Sequence, residues 1–186
     1  MKRLLILASA FILTACVLED DEDSEATFLE GTWLGPCEDY SEDGTEFGQS
    51  TVTFAGATVI SVNRTYNSTT CEGDTYTSVQ TAKSNLVVGD EVVLASGETV
   101  TKISFEFSEI RIRYNVQSEV AGYNATSECG FTDWEVGVEK DILSCNLGTD
   151  TIALDIALVD GDKLYFGEYV ESGYPTALEA DSQTRL

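Results

Sequence analysis

The hydrophobic and polar positions of this chain alternate with a period of two rather than 3.6, the period of β-strands. The clearest stretch covers residues 101–114. Its apolar residues are Ile103, Phe105, Phe107, Ile110, Ile112 and Tyr114. Their parity shifts by one after Phe107, so Ser108-Glu109 is either a two-residue hairpin turn or a bulge within one long bent strand.

The same period recurs along the rest of the chain. Residues 152–158 alternate in this way, and Asp160-Gly161-Asp162 predicts a hairpin turn into a strand over 163–167. Further strands are predicted over 28–34, 46–54, 57–66, 75–82 and 86–94, the last broken at Gly89-Asp90. No window of twelve residues shows a helical stripe with caps. The pattern therefore predicts an all-β fold, a single antiparallel β-barrel or β-sandwich of about eight strands with short turns.

Composition and charge exclude several functions. The chain has 186 residues and a formal charge of −23, with 10 basic residues against 33 acids. It offers no basic surface for a phosphate backbone, so we expect no nucleic-acid partner. It contains no histidine, which excludes Ser-His-Asp and Cys-His catalysis and every His-ligated metal site. The hydrophobic content of 42% is enough to build a core.

The first sixteen residues are laid out as a secretory signal. Lys2 and Arg3 precede a run of ten residues, Leu4 to Leu13, that is apolar except for Ser9, and small residues close the run before Cys16. Leu13-Thr14-Ala15-Cys16 resembles the lipobox of bacterial lipoproteins. The resemblance implies cleavage before Cys16 and acylation of that residue, which would anchor the protein to a membrane. An ordinary signal peptide with a chance cysteine is the alternative.

The lipoprotein resemblance also implies an address. In such proteins an aspartate directly after the cysteine tends to retain the protein at the inner membrane, whereas this chain has Val17. We therefore expect an outer-membrane location, on the periplasmic face or at the cell surface. Removing residues 1–15 leaves 8 basic residues against 33 acids and a formal charge of −25.

An acidic stretch follows the lipobox. Residues 19–25 contain six carboxylates, and such a block repels itself and stays extended. The predicted organisation is a signal peptide over 1–15, a lipidated cysteine and acidic linker over 16–27, and a single all-β domain over 28–186.

Four cysteines remain after Cys16. They are Cys37, Cys71, Cys129 and Cys145. In an exported protein an even number of cysteines predicts disulfides, and four cysteines allow three pairings. We favour Cys37 with Cys71 and Cys129 with Cys145, because these pairs are closest along the chain. A tetrathiolate zinc site is the alternative, although no Cys-x-x-Cys spacing is present.

Two short motifs indicate a barrel. Gly31-Thr32-Trp33 resembles the Gly-x-Trp motif that opens lipocalin-like barrels, and Thr132-Asp133-Trp134 resembles the Thr-Asp-Tyr motif of that family. The resemblance implies that Trp33 plugs one end of the barrel, and it makes Trp33 a candidate wall of a ligand site. The family's third landmark is an arginine near the last strand that stacks on the tryptophan. Arg185 is almost at the terminus, and we expect it not to serve as that arginine.

The acids suggest only weak metal chemistry. Asp39, Ser41, Asp43 and Gly44 match the start of a calcium loop, but the closing glutamate is replaced by Ser50, so an acidic hairpin turn is the preferred interpretation. Asp155, Asp160 and Asp162 are a second candidate for a hard cation. We expect no cofactor beyond weak surface calcium.

The sequence contains no nucleophile elbow, P-loop or dinucleotide fingerprint, so we expect a protein that is not an enzyme. The favoured function is a lipid-anchored envelope protein that binds a small apolar or amphipathic ligand in its barrel. The alternative is a structural or protein-interaction lipoprotein with a filled core.

Overall fold

A computed structural model describes residues 27–41, 44–73, 76–147 and 151–186. The strands in these ranges are β1 (Gly31–Asp39), β2 (Phe47–Ala55), β3 (Thr58–Tyr66), β4 (Ser78–Val93), β5 (Thr99–Tyr114), β6 (Glu139–Asp141), β7 (Ile152–Asp160), β8 (Lys163–Phe166) and β9 (Gln183–Arg185). The helices are α1 (Gln117–Thr126) and α2 (Leu143–Asn146), and a 3₁₀ turn covers Glu128–Gly130.

Eight of these strands close into an antiparallel β-barrel. Each of β1 to β4 pairs with the next strand in the chain, and β5 pairs with β7. The ring is then completed by β7 with β8, β8 with β9 and β9 with β1. The short β6 pairs with the second half of β5. Closure confirms the predicted barrel of about eight strands and decides against the sandwich.

The parity shift after Phe107 is a bulge, not a hairpin turn. β5 is continuous, and its pairing with β4 jumps from Ser84–Phe107 to Lys83–Glu109, which leaves Ser108 as the extra residue. The bulge keeps Phe107 and Ile110 on the same face of the sheet. The hairpin alternative is therefore wrong.

Two other predicted boundaries are also wrong. Gly89-Asp90 does not break the chain into a turn, because β4 is one strand of 16 residues with a second irregularity between Val88 and Glu91. The first strand begins at Gly31 rather than residue 28, since the backbone of Glu30 donates to Thr27 O at 3.1 Å in a turn. The predicted hairpin at Gly161-Asp162 is confirmed, with Asp160 paired to Lys163.

The helix α1 contradicts the expectation that the chain has no helix. The pattern hides it because Val120 is its one buried residue, and no side chain caps its start. Tertiary contacts stabilise it instead: the Tyr123 ring stacks on Tyr114 at 4.2 Å, and Asn124 bonds both the N–H and the carbonyl of Trp134. Within the described ranges no helix is long and apolar enough to span a bilayer.

A hydrophobic cluster fills the end of the barrel at which β1 begins, here called the upper end. Trp33 lies in this cluster at 0% exposure, and its Nε1 donates to the carbonyl of Leu29 at 2.7 Å. The other buried members are Leu29, Val52, Phe54, Val59, Leu86, Ile103, Ala157 and Leu164. The opposite end, where β5 finishes at Tyr114, is called the lower end.

Arg185 stacks on Trp33, so the expectation that it is too close to the terminus was wrong. Its guanidinium carbon lies 4.2 Å from the Trp33 ring centroid, and its Nη1 donates to Glu30 O at 2.9 Å. β9 carries it there by pairing with β1 at Trp33. Gly31 permits this arrangement, because its φ is +117° and a Cβ there would lie 3.3 Å from the arginine.

Both predicted disulfides are confirmed. Cys37 is bonded to Cys71 and ties the β3–β4 connection to β1, whereas Cys129 is bonded to Cys145 beside Trp134. The zinc alternative is therefore wrong, because all four thiols are used in pairs.

Candidate functional site

The lower half of the barrel wall is incomplete between β7 and β1. β8 and β9 have only four and three residues, whereas their neighbours β7 and β1 have nine each. β9 pairs with β1 at Trp33 and Leu34 alone. The segment 167–182 replaces the missing wall, with a bridge between Gly167 and Leu178 and contacts of Tyr174 and Leu178 on the outer face of β7.

A cleft of about 440 Å³ opens where β8 ends beside β7. We call it the side cleft. Its lining consists of Ile152, Ala153, Leu154, Asp155, Gly167, Glu168, Tyr169, Val170, Glu171, Ser172, Gly173, Pro175 and Glu179. This volume lies within the usual range for small-molecule sites.

A smaller gap of about 100 Å³ lies between the lower half of β1 and the start of β9. Ser50, Phe166 and Glu179 are among the residues that line it. Glu179 also lines the side cleft, so the two openings adjoin each other. Ser50 and Phe166 belong to the barrel interior, and the gap therefore leads inward.

The lower half of the interior is polar on one side. Register and alternation place small polar residues on the inward face of β2, β3 and β4, below Val52. They are Ser50, Ser61, Asn63, Thr65, Ser78 and Gln80, and all stay partly exposed. The opposite wall carries Phe105, Phe107 and Phe166, which are also partly exposed. The upper interior is thus filled and apolar. The lower interior is amphipathic: it is partly exposed along these residues, and it is packed at Ala82, Ile110 and Tyr114, which belong to the buried cluster around Trp134.

Asp155 lies at the junction of the interior and the side cleft. It pairs with the inward-facing Ile103, and its Oδ1 accepts hydrogen bonds from the N–H groups of Ile156 at 2.7 Å and Gly167 at 2.9 Å. The pKa of Asp155 is raised from 3.8 to about 6, first by burial and then by the charge of Glu179, while the two backbone hydrogen bonds act in the opposite direction. A carboxylate is therefore held in place at the wall by the backbone.

Other acids surround this group. Burial raises the pKa of Glu179 above its ordinary value. The charges of Glu38, Asp181 and Glu168 raise it further. Among the residues that the structure describes, no lysine or arginine lines the side cleft or the smaller gap. The two openings are therefore negatively charged and partly apolar, a combination that suits an amphipathic cation.

Replacement of Asp155 by asparagine is expected to change the pH dependence of stability. The folded chain binds the Asp155 proton more tightly than the unfolded chain, in which the pKa is near 3.8. The free energy of unfolding therefore loses roughly 2 to 3 kcal/mol as the pH rises from 4 to 7. In Asp155→Asn this loss is absent, because the amide does not titrate, and its oxygen can still accept both backbone hydrogen bonds. Urea denaturation at pH 4 and pH 7.5 measures the difference.

Asp160→Asn is the matched control. Asp160 lies at the exposed upper end of the same strand, and its substitution removes one charge without touching the cleft. We expect its pH profile to follow that of the unsubstituted chain. An Asp155→Asn profile parallel to that of Asp160→Asn would contradict the buried-carboxylate interpretation.

The structure places the predicted site residues apart from this region. Trp33 lines neither described cavity, and its role as a ligand wall stays a prediction. Cys16 lies outside the described residues. Trp134 is buried at the lower end against Tyr114 and Phe131, and its neighbour Asp133 accepts a hydrogen bond from Lys140 Nζ at 2.7 Å.

The two calcium candidates are not assembled in the described residues. Asp155 lies at the other end of β7 from the turn that holds Asp160 and Asp162. In the β1–β2 connection, Asp39 Oδ1 accepts hydrogen bonds from the N–H and hydroxyl of Ser41, as in a polar turn. Asp43 lies outside the described residues. No group of three or more metal-ligating side chains is found in the described part of the chain.

Sequence reasoning missed Glu168, Tyr169 and Glu179 as cavity residues. They follow β8 in a segment without periodicity, and nothing local indicates that this segment substitutes for a strand. The sequence did contain one signal for the cavity: Asp155 is a charged residue within an otherwise apolar strand pattern.

Comparison of the chain with protein-family models and with curated protein sequences finds no match.

Proposed function

We propose that the protein is a lipid-anchored envelope protein that binds a small amphipathic ligand with a cationic group. The ligand enters through the side cleft, places its charged group near Asp155 and extends its apolar part toward the lower interior. The observation that carries this proposal is the opening of a carboxylate-lined cleft of about 440 Å³ beside an amphipathic interior.

The lining supports a ligand with two chemical parts. Ile152 and Leu154 are exposed, as is Tyr169 at 87%, and these side chains give an apolar approach. Beyond them Asp155 lies at the wall, and its charged form is poorly solvated. An ammonium group would relieve that desolvation by pairing with the carboxylate, whereas an anion would be repelled.

One feature supports the envelope setting of this proposal, and another supports the comparison with a ligand-binding barrel. In this proposal the lipobox Leu13-Thr14-Ala15-Cys16 carries the anchor, and Val17 after the cysteine favours the outer membrane. The stacking of Arg185 on Trp33 supports the lipocalin-like comparison, since that pair is the family's landmark at the closed end. A barrel filled at its upper end and opened at the side by a cleft suits the storage or transfer of a small molecule.

Calorimetric titration with three probes of equal chain length tests the proposal. At pH 7.5 we expect decylamine to bind at least about tenfold more tightly than decanoate, with decanol between them. Asp155→Asn removes most of the preference for the amine, while Asp160→Asn preserves it. Equal affinity for all three probes, or a preference for decanoate, would refute the cationic ligand.

The affinity for decylamine is also expected to depend on pH. Since Asp155 has a pKa of about 6 in the free chain, most of it is protonated at pH 5. Binding of the amine then competes with the proton and weakens about tenfold between pH 7.5 and pH 5. Titration of Asp155→Asn over the same range provides the comparison, and its affinity is expected to change less than threefold.

The second candidate is a structural or protein-interaction role. The end of β4 favours it, because Val87, Val88 and Val93 are exposed at 51%, 44% and 71% on a part of the strand that has lost its β3 partner. Native mass spectrometry of protein purified from its host separates the two roles. A bound small molecule supports the first, and a stoichiometric protein partner supports the second.

A further inference from the structure

Basic residues are scarce in this protein, yet four of them share one outer surface. Arg64 lies on β3, Lys83 on β4, and Arg111 and Arg113 on β5, all at outward-facing positions of adjacent strands. They make up half of the eight basic residues that follow residue 15. This surface is on the lower half of the barrel and does not include the side cleft.

Two of these arginines flank one tyrosine. Arg64 and Arg113 lie on either side of Val79 in the sheet, and their guanidinium carbons are 5.9 Å and 6.0 Å from the Tyr76 ring centroid. Arg113 Nη2 donates to the Tyr76 hydroxyl at 3.2 Å. Because that oxygen serves as an acceptor, its own proton is directed elsewhere.

The backbone holds Tyr76 firmly. Asn115 Nδ2 donates to its carbonyl at 3.1 Å, the next residue pairs with β3, and the ring packs edge-on against the buried Tyr66 at 6.3 Å. The Cys37–Cys71 disulfide ties down the connection that carries it. The three groups are therefore positioned before any ligand arrives.

The charges of the two arginines are not neutralised within the described residues. The ion pairs found there join Arg111 to Glu109 and Lys140 to Asp133. Glu139 is opposite Arg113 in β6 but forms no ion pair with it. Arg113 Nε is buried and has no hydrogen-bond acceptor. A buried donor and two uncompensated cations leave a local positive potential in a strongly acidic protein.

We propose that Arg64, Tyr76 and Arg113 form a binding site for a phosphate group. Two guanidinium groups and one hydroxyl offer donors to the three free oxygens of a phosphate monoester, and arginine pairs with phosphate through two parallel hydrogen bonds. The surrounding negative charge of the protein repels polyanions, so the ligand carries a single phosphate. A phospholipid headgroup and a free phosphate share this chemistry.

NMR titration at constant ionic strength, with chloride as the balancing anion, tests the site. Inorganic phosphate is expected to shift the signals of Arg64, Tyr76 and Arg113 with a dissociation constant on the order of 1 mM. Arg64→Gln weakens binding at least fivefold, and Tyr76→Phe weakens it less. Arg111→Gln is the matched control, because it removes the same charge from the same outer face of the sheet, and it leaves the affinity within twofold.

A second titration identifies the source of the phosphate. Dihexanoyl phosphatidic acid, used below its micellar concentration, is compared with dihexanoyl phosphatidylcholine and with inorganic phosphate. Tighter binding of the phosphatidic acid at the same three residues supports a lipid headgroup, and equal affinity to inorganic phosphate supports a free phosphate. The site is refuted if neither phosphate probe shifts these residues. Equal losses in Arg64→Gln and Arg111→Gln would also refute it, because they indicate a diffuse charge effect.

Discussion

Replacement of Trp33 by alanine is expected to lower the free energy of unfolding by about 3 to 5 kcal/mol. Trp33 is fully buried at the centre of the upper cluster, between Leu29 above it and Val52 beside it. Its removal leaves a cavity that the closed wall cannot fill, and Arg185 loses the ring on which it stacks. Such a loss is a large share of the stability of an ordinary domain. Urea denaturation at pH 7.5 measures it.

Arg185→Gln separates packing from stacking in this experiment. The variant loses the cation–π contact and the hydrogen bond to Glu30 O but retains the buried indole. We expect it to lose about 1 to 2 kcal/mol. A Trp33→Ala variant no less stable than Arg185→Gln would show that the indole does not anchor the upper end.

Removal of the Cys37–Cys71 disulfide is expected to lower the free energy of unfolding by about 4 kcal/mol. The bond spans 34 residues, and closing a loop of that length restricts the unfolded chain by about this amount. Cys37 lies at an irregular part of β1, whereas Cys71 is buried. The double substitution Cys37→Ser with Cys71→Ser, followed by guanidinium unfolding, gives the value.

The second disulfide provides an internal comparison. Cys129 and Cys145 are 16 residues apart, so their removal is expected to lower stability by about 3 kcal/mol and to loosen the α1 region. The two bonds close separate parts of the barrel, and their effects are expected to add. A loss below 1 kcal/mol from the first pair would mean that the unfolded chain is already restricted there.

The strand pattern and the cysteine pairs were predictable because each rests on local or pairwise information. Alternation in residues 101–114 is visible in the sequence, and the nearest pairing of the four cysteines is the one observed. Alternation does not show which face points inward. In β7, Ala157 faces the upper core, while Ile152 and Leu154 lie on the exposed side. The sequence suggested no reason for this choice, because both faces of the strand carry apolar residues.

The candidate site was less predictable than the fold. Asp155 was identified only as a possible cation ligand of the hairpin, yet its cleft comes from the shortness of β8 and the path of the segment after it. Arg64 and Arg113 are 49 positions apart, and their common neighbour Tyr76 lies in the connection between β3 and β4. Proximity of this kind depends on strand register, which a single sequence does not encode locally.

From the sequence alone came the prediction of an export signal, the acidic character, the β-class and the disulfide pairs, since these depend on composition, period and spacing along the chain. Tertiary structure alone decided where the ring of strands closes, that Arg185 covers Trp33, and that the lower wall is left open beside Asp155. The physical reason is that closure brings β1 together with the short strands β8 and β9, and the energy of those contacts belongs to residues distant in sequence.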